Sequence, residues 1–224
     1  MAEVILAKRL IVLGRNSKVW QSLKKSHLLV STPIWAIGHA ELTNFRFLSG
    51  DNVLVFSYSR SAKENFLLLE YLSKQNKVSV FYISSASTNV TSITRCYNYP
   101  RVKQQALEDA IRICNAKIIN IGWFYNVVEE LPSGLTVATS VDEIAMLIKE
   151  GMPSSDRFLN LFHLVERPFQ SGFEKKLYLL YGVLMKGCGR YPCLLRPLDL
   201  ILRILGMRWY GYLYLSNRLW STTI

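Results

Sequence analysis

Over the first 150 residues, short uninterrupted apolar runs alternate with stretches of helical length, and this alternation restricts the fold more than any other feature. RLIVLG (9–14), HLLVST (27–32), DNVLVFSYS (51–59), KVSVFYISS (77–85) and AKIINIGWF (116–124) read as strands. SKVWQSLKKS (17–26), SAKENFLLLEYLSKQ (61–75), the stretch from about Tyr99 to Asn115, and SVDEIAMLIKEG (140–151) read as helices. Strands that are apolar on both sides need cover on both sides, and helical connections between them run the strands parallel. The pattern predicts an α/β fold: a doubly wound, Rossmann-like parallel sheet over residues 1–150 with helices on both faces. Pro33 and Gly38 weaken the pattern between Thr32 and Asp51, where a loop with a short strand around Trp35 is expected.

After Gly151 the character changes. MPSSDRF reads as a linker or turn, and residues 151–224 as a small, mainly helical appendage, basic and aromatic. The formal charge of +11 is unevenly placed: from Phe173 onward eight Lys/Arg face two acids, a balance of +6. Such a segment seeks an anionic partner, whether nucleic acid, phospholipid or a nucleotide-linked substrate. In LLRPLDLILRILG (194–206) the charges at Arg196, Asp199 and Arg203 leave a wide apolar face. That face either packs on the sheet domain or on a second subunit, giving a homodimer, or it lies on an anionic membrane. In the second case Trp209, Tyr210, Tyr212, Tyr214 and Trp220 would stand at headgroup level. Basic and aromatic residues interleave as in single-strand binders, but the tail is too apolar for a solvated groove, which disfavours nucleic acid.

Several classes are set aside. A chain of 224 residues, half of them hydrophobic, buries a substantial core and is not disordered. MAEVILAKRLIVLG has a short apolar run and no small-residue cleavage site, so it reads as a first strand and not an export signal. No charge-free stretch is long enough to span a bilayer. Cys96, Cys114, Cys188 and Cys193 are scattered without a CxxC pair, which fits free thiols in a reducing cytoplasm. Cys188, Cys193 and His163 are poorly spaced for zinc and lack a fourth ligand, so no metal is expected. His27, His39 and His163 are read as structural.

In a doubly wound domain, ligands bind at the carboxyl ends of the strands. The first such turn is LGRNSKVW, where Gly14 is present but Ser17 and Trp20 stand where later glycines of a dinucleotide loop would fall. Trp20 is bulky for close packing of helix on strand. Arg15 follows the glycine, where its guanidinium can meet a 2′-phosphate; its alternative is a solvated loop charge. The expected second strand ends in Ser31 and Thr32 and not in an acid that grips a ribose 2′-hydroxyl, which favours NADP over NAD. Further on, the strand ending YISSAS is followed by a helix carrying Tyr99 and Lys103, four residues apart and therefore on one helix face. A phenol with an ordinary pKa of about 10 is a poor base at neutral pH. An ammonium one turn away lowers that value, and a serine hydroxyl from the strand end can hold a carbonyl or alcohol beside it. Ser84, Ser85 and Ser87 are all candidates. The plainer alternative is an exposed helix start in which Pro100 merely begins the helix.

Taken together, the strand ending SSAS, the YxxxK of Tyr99 to Lys103, QQALEDAI with Glu108, the strand AKIINIGWF and SVDEIAMLI resemble the extended short-chain dehydrogenase/reductases. That family includes nucleotide-sugar epimerases, dehydratases and ketosugar reductases. The resemblance covers about residues 9–150 and is most specific over 77–124. It implies that Ser85 orients the substrate, Tyr99 is the acid/base, and Lys103 lowers the phenol's pKa and grips the nicotinamide ribose. It also implies that Gly14, Arg15 and Ser17 form the phosphate loop of an NAD(P) site.

Two functions follow as expectations. One is an NAD(P)-dependent oxidoreductase or epimerase acting on a nucleotide-activated or lipid-linked sugar in bacterial surface-polysaccharide synthesis. It would be cytoplasmic, with the tail holding it at the inner face of the membrane. The other is a non-catalytic scaffold or binding protein of the same fold that has lost its dinucleotide.

Overall fold

The structure, a computed structural model, describes residues 9–75, 77–91, 98–152 and 156–191, and singly 197, 201 and 204. The chain forms two compact units. The first comprises the described parts of Met1–Ile83, Gln105–Ile119 and Val141–Leu159; the second comprises those of Ser84–Gln104, Asn120–Ser140 and Asn160–Ile224.

A six-stranded sheet has the order β2-β1-β3-β4-β5-β8, formed by Ile34–Ile37 (β2), Leu10–Leu13 (β1), Asn52–Val55 (β3), Ser79–Ser85 (β4), Lys117–Ile121 (β5) and Phe158–Asn160 (β8). β2, β1, β3 and β4 pair in parallel. The chain moves outward from β1 to β2 and then crosses back to β3 on the other side of β1, which creates a switch point between β1 and β3. Successive strand residues face opposite sides. Ile11, Leu13, Val53, Val55, Val80 and Tyr82 therefore share one face, where they pack with Leu68, Leu69 and Leu72 of helix α3 (Ala62–Ser73) and with Ala106, Leu107 and Ala110 of α4 (Asn98–Cys114). Leu10, Val12, Leu54 and Phe81 turn to the other side and are buried as well. Helices α1 (Lys18–Leu23) and α5 (Val141–Glu150) pack on one another, with Leu23, Ile144, Ala145 and Ile148 buried. This is the expected doubly wound fold.

The entry into the sheet is fixed by charge. Arg9 donates to both oxygens of buried Asp51 at 2.9 and 2.6 Å, and its guanidinium lies 5.5 and 5.8 Å from the rings of Trp35 and Phe45.

Two expected strands are corrected. HLLVST (27–32) is not the second strand: His27–Leu29 form a 3₁₀ turn, capped by the Ser26 hydroxyl accepting from the Leu28 amide. Only Leu29 of that run is buried, while Val30 is 85% exposed. The second strand is Ile34–Ile37, the short strand expected around Trp35. As an edge strand it tolerates Pro33 before it and a partly exposed Trp35, which is why its pattern is weak. AKIINIGWF, in turn, is two strands. β5 stops at Ile121, and β6 (Trp123–Tyr125) belongs to a second sheet in the order β6-β7-β9.

That second sheet lies within the second unit. Its centre is β7 (Gly134–Ser140), parallel to β6 and antiparallel to β9 (His163–Arg167). Val137 packs with Ala86, Phe162 and Leu164, while the next residue, Ala138, packs with Tyr125, Leu131, Trp123 and Val165. A helix α2 (His39–Leu42) follows β2, and α6 (Gly172–Arg190) follows β9. The helix expected at 194–206 lies outside the described residues, apart from the single positions 197, 201 and 204. No helix among the described residues is long and apolar enough to cross a membrane.

Candidate functional site

At the β1/β3 switch point the first unit has a cavity of about 760 Å³, a size suited to a small-molecule ligand. Its walls are the turn Gly14–Ser17 after β1, Gly38 and His39 after β2, and Phe56–Arg60 with Glu64 after β3. All three segments leave the carboxyl ends of parallel strands.

The β1 turn is built by its glycine. Gly14 has φ +110°, and a Cβ there would come within 2.9 Å of the Ser57 nitrogen, so a side chain would be both strained and excluded by the backbone that leaves β3. The Gly14 and Arg15 amides both donate to Ile37 O at 3.1 Å, and the Ser17 amide donates to Gly14 O at 2.8 Å. Ser17 then caps α1, its hydroxyl accepting from the Trp20 amide at 3.2 Å. Trp20 is accommodated, not obstructive: it is buried, with its ring centroid 6.4 Å from that of Phe56.

The β3 wall is held by Asn65, a buried residue of α3. Its side chain accepts from the Ser59 amide and donates to the Ser59 carbonyl, both at 2.8 Å. Ser59 also donates to Glu64. On the β2 side, Arg15 Nη1 meets Glu41 Oε1 at 2.8 Å, and the other Glu41 oxygen accepts from the Gly38 amide at 2.8 Å. The Gly38 amide foremost, with Arg15, holds the Glu41 carboxyl below its ordinary range. His39 hydrogen-bonds Ser57 across the cavity.

Gly14, Arg15 and Ser17 thus line one cavity. The inference from Ser31 and Thr32 falls with the strand it rested on. The residues beyond the true β2 are Gly38 and His39, with Glu41 engaged by Arg15. Sequence reading missed His39, Glu41, Ser57 and Asn65 as parts of this site. Placing β2 at Ile34–Ile37 would have put Gly38 and His39 at a strand's carboxyl end and exposed the first two.

The remaining candidates lie in the second unit. Ser85 ends β4 and caps the 3₁₀ turn Ala86–Val90. Its hydroxyl lies 2.9 Å from that of Ser87 and accepts from the Ser87 amide, so two of the three serine candidates form one buried pair. Ser84 is also buried, and its hydroxyl has no hydrogen-bond partner among the described residues. Tyr99 is half-buried in the first turn of α4, and Lys103 follows it on the same face, buried. Burial pushes the Lys103 amine down to about 7. No group of His, Cys, Asp or Glu suited to a metal ion occurs among the described residues.

No protein-family model matches the sequence, and no curated protein matches it. Solved structures do resemble it. The dTDP-4-dehydrorhamnose reductase of Bacillus anthracis, crystallised with NADP, aligns at TM-score 0.53 and 12% identity over 78% of this chain and 81% of its own. The UDP-N-acetylglucosamine 4-epimerase of Bacillus cereus aligns at 0.51 and 13%, over 79% and 85%. A reductase domain of the aureusimine biosynthetic cluster aligns at 0.52 and 9%, over 71% and 69%. The chain has the Rossmann-like fold of these reductases and epimerases. At these identities the likeness is one of fold, and function rests on the site.

Proposed function

We propose that the protein is an NAD(P)-dependent oxidoreductase or epimerase of a nucleotide-activated or lipid-linked sugar, of the kind used in surface-polysaccharide synthesis. The observation that carries this reading is the cavity at the β1/β3 switch point, walled by the Gly14 turn and holding the cationic Arg15. A dinucleotide fits the residues present: Gly14–Ser17 would face its phosphates, and Arg15 would meet a 2′-phosphate by exchanging its Glu41 partner, which favours NADP. When bound, the nicotinamide supplies or accepts the hydride. Ser85 donates a hydrogen bond to the substrate oxygen, and Tyr99 gives that oxygen its proton in reduction or removes it in oxidation. Lys103, while protonated, stabilises the Tyr99 phenolate.

NADPH oxidation with dTDP-4-dehydrorhamnose, and interconversion of UDP-N-acetylglucosamine with NAD present, are the first assays. Tyr99→Phe removes one hydroxyl from a half-buried residue, so turnover should fall by about 10²–10⁴-fold while the unfolding transition stays in place. Full activity in that variant would refute the acid/base assignment.

The second reading is a non-catalytic scaffold. The Arg15–Glu41 ion pair favours it, because the cation suited to a phosphate already has an anion. Absence of binding by both NADPH and NADH would select it.

A further inference from the structure

Helix α6 carries an exposed apolar stripe. Phe173, Leu177, Leu180 and Leu184 recur at spacings of three and four, which places them along one side of the helix. They are 71, 46, 56 and 45% exposed. At about 1.5 Å per residue the stripe is about 17 Å long. Leu179 and Val183, also exposed, widen it on one flank.

The other side of α6 is the one that docks on its own unit. The Tyr178 hydroxyl accepts from the Leu135 amide at 3.3 Å, its ring lies 5.2 Å from Phe169, and Gly182, one turn on, is buried. Glu174, the only acid of the helix, belongs to that side, with its carboxylate accepting from the Gln170 amide at 2.7 Å. Lys176 is exposed within the apolar face, between Val183 and Leu180 around the helix, and Lys175 is exposed further round, between Leu179 and Gly182. The outward face of α6 is therefore leucine-rich, carries Lys176 and has no exposed acid among its described residues.

We propose that α6 is a membrane-surface element: it lies in the plane of an anionic phospholipid leaflet, with the leucine stripe at the acyl boundary, Lys176 reaching up to the headgroups and Lys175 above them within range of the surface charge. Charge selects lipid over a second copy of the chain. Two copies meeting through this stripe would each cover Lys176 with no acid on that face to pair it, whereas anionic headgroups complement it. The +6 balance from Phe173 onward acts in the same direction. The proposal does not depend on the reductase reading, since its test uses neither dinucleotide nor sugar.

The test is flotation of the full chain with vesicles of phosphatidylcholine alone and of phosphatidylcholine mixed equally with phosphatidylglycerol. The chain should float with the anionic vesicles and stay behind with the neutral ones, and raising salt from about 0.05 to about 0.5 M should release it. Lys175→Gln with Lys176→Gln should lower the partition coefficient about fivefold per charge removed. Leu177→Ser with Leu180→Ser should lower it by about tenfold or more per residue. Circular dichroism and the unfolding midpoint should be unchanged in both. If the leucine variant does not fold, the lysine variant still tests the proposal, because both lysines are exposed. Failure to float with anionic vesicles, or equal binding to neutral ones, overturns the proposal. So does a dimer in solution that the leucine substitutions make monomeric.

Discussion

Lys103 stands one helical turn beyond Tyr99 and is 5% exposed, so its ammonium is poorly solvated and its pKa falls from 10.5 to about 7. The consequence for stability has a definite sign. Between about 7 and 10.5 the unfolded chain binds a proton at this amine that the folded chain does not, so stability rises with pH. One proton corresponds to about 1.4 kcal/mol per pH unit. Below about 7 both states are protonated and the group contributes no slope. Lys103→Met should therefore remove about 1.4 kcal/mol per unit from the pH dependence of urea-unfolding free energy in that window. Parallel wild-type and variant curves would show that the amine does not titrate there. Under the proposed mechanism the same titration would bear on catalysis, since above about 7 a falling share of Lys103 would carry the charge assigned to stabilising a Tyr99 phenolate. The four-residue spacing of this pair is legible in the sequence because helix geometry is periodic. Lys103's burial is not, because helical spacing does not say which face the tertiary fold covers. Likewise SSAS places three hydroxyls near a strand end, but only the capped 3₁₀ turn reveals that Ser85 and Ser87 bond to one another.

At the scale of elements, strands buried on both faces were legible as apolar runs, β2 only as a short strand around Trp35, and β7, β8 and β9 were not legible. LIVL, NVLV and SVFYISS are apolar along most of their length, since helices cover both sides of them. β2 has neighbours on one edge only, so its sequence need not be apolar throughout, and the adjacent HLLVST offered a better-looking run. β7 and β9 belong to a three-stranded sheet whose mixed burial gives no continuous run. Gly122 marks where one sheet is exchanged for the other. A Cβ there would lie 2.6 Å from Val137 O and 2.7 Å from Ala138 N, backbone atoms of the central strand that cannot swing aside. The Gly122 amide also donates to Thr139 Oγ1 at 2.8 Å. Gly122→Ala should therefore push β6 from β7 and destabilise the protein by about 1–3 kcal/mol in chemical denaturation. A cost near zero would mean that β6 is not held this closely. From sequence alone, the same glycine reads as an ordinary residue inside an apolar run.

For the molecule as a whole, the reductase reading makes a demand that fold likeness does not: the first unit must bind a dinucleotide through a cavity formed wholly by its own strand ends. Binding to the folded state alone stabilises it by mass action, about 2.7 kcal/mol at a hundredfold excess over Kd. For a chain of this size that corresponds to a rise of roughly 5–10 °C in the unfolding midpoint. A midpoint shift does not say where the ligand sits, because any ligand of the folded state raises it, including a polyanion adsorbed on a chain of +11 charge. Location comes from amide hydrogen exchange. With NADPH, protection should rise in Gly14–Ser17, at Gly38 and His39, and across Ser57–Arg60, three segments far apart in sequence that meet only at the switch point. NADH should protect the same segments more weakly, because it lacks the phosphate that Arg15 can hold. Protection confined to the basic residues after Phe173, or absent from the Gly14 turn, would detach the shift from the cavity and leave the fold without the cofactor.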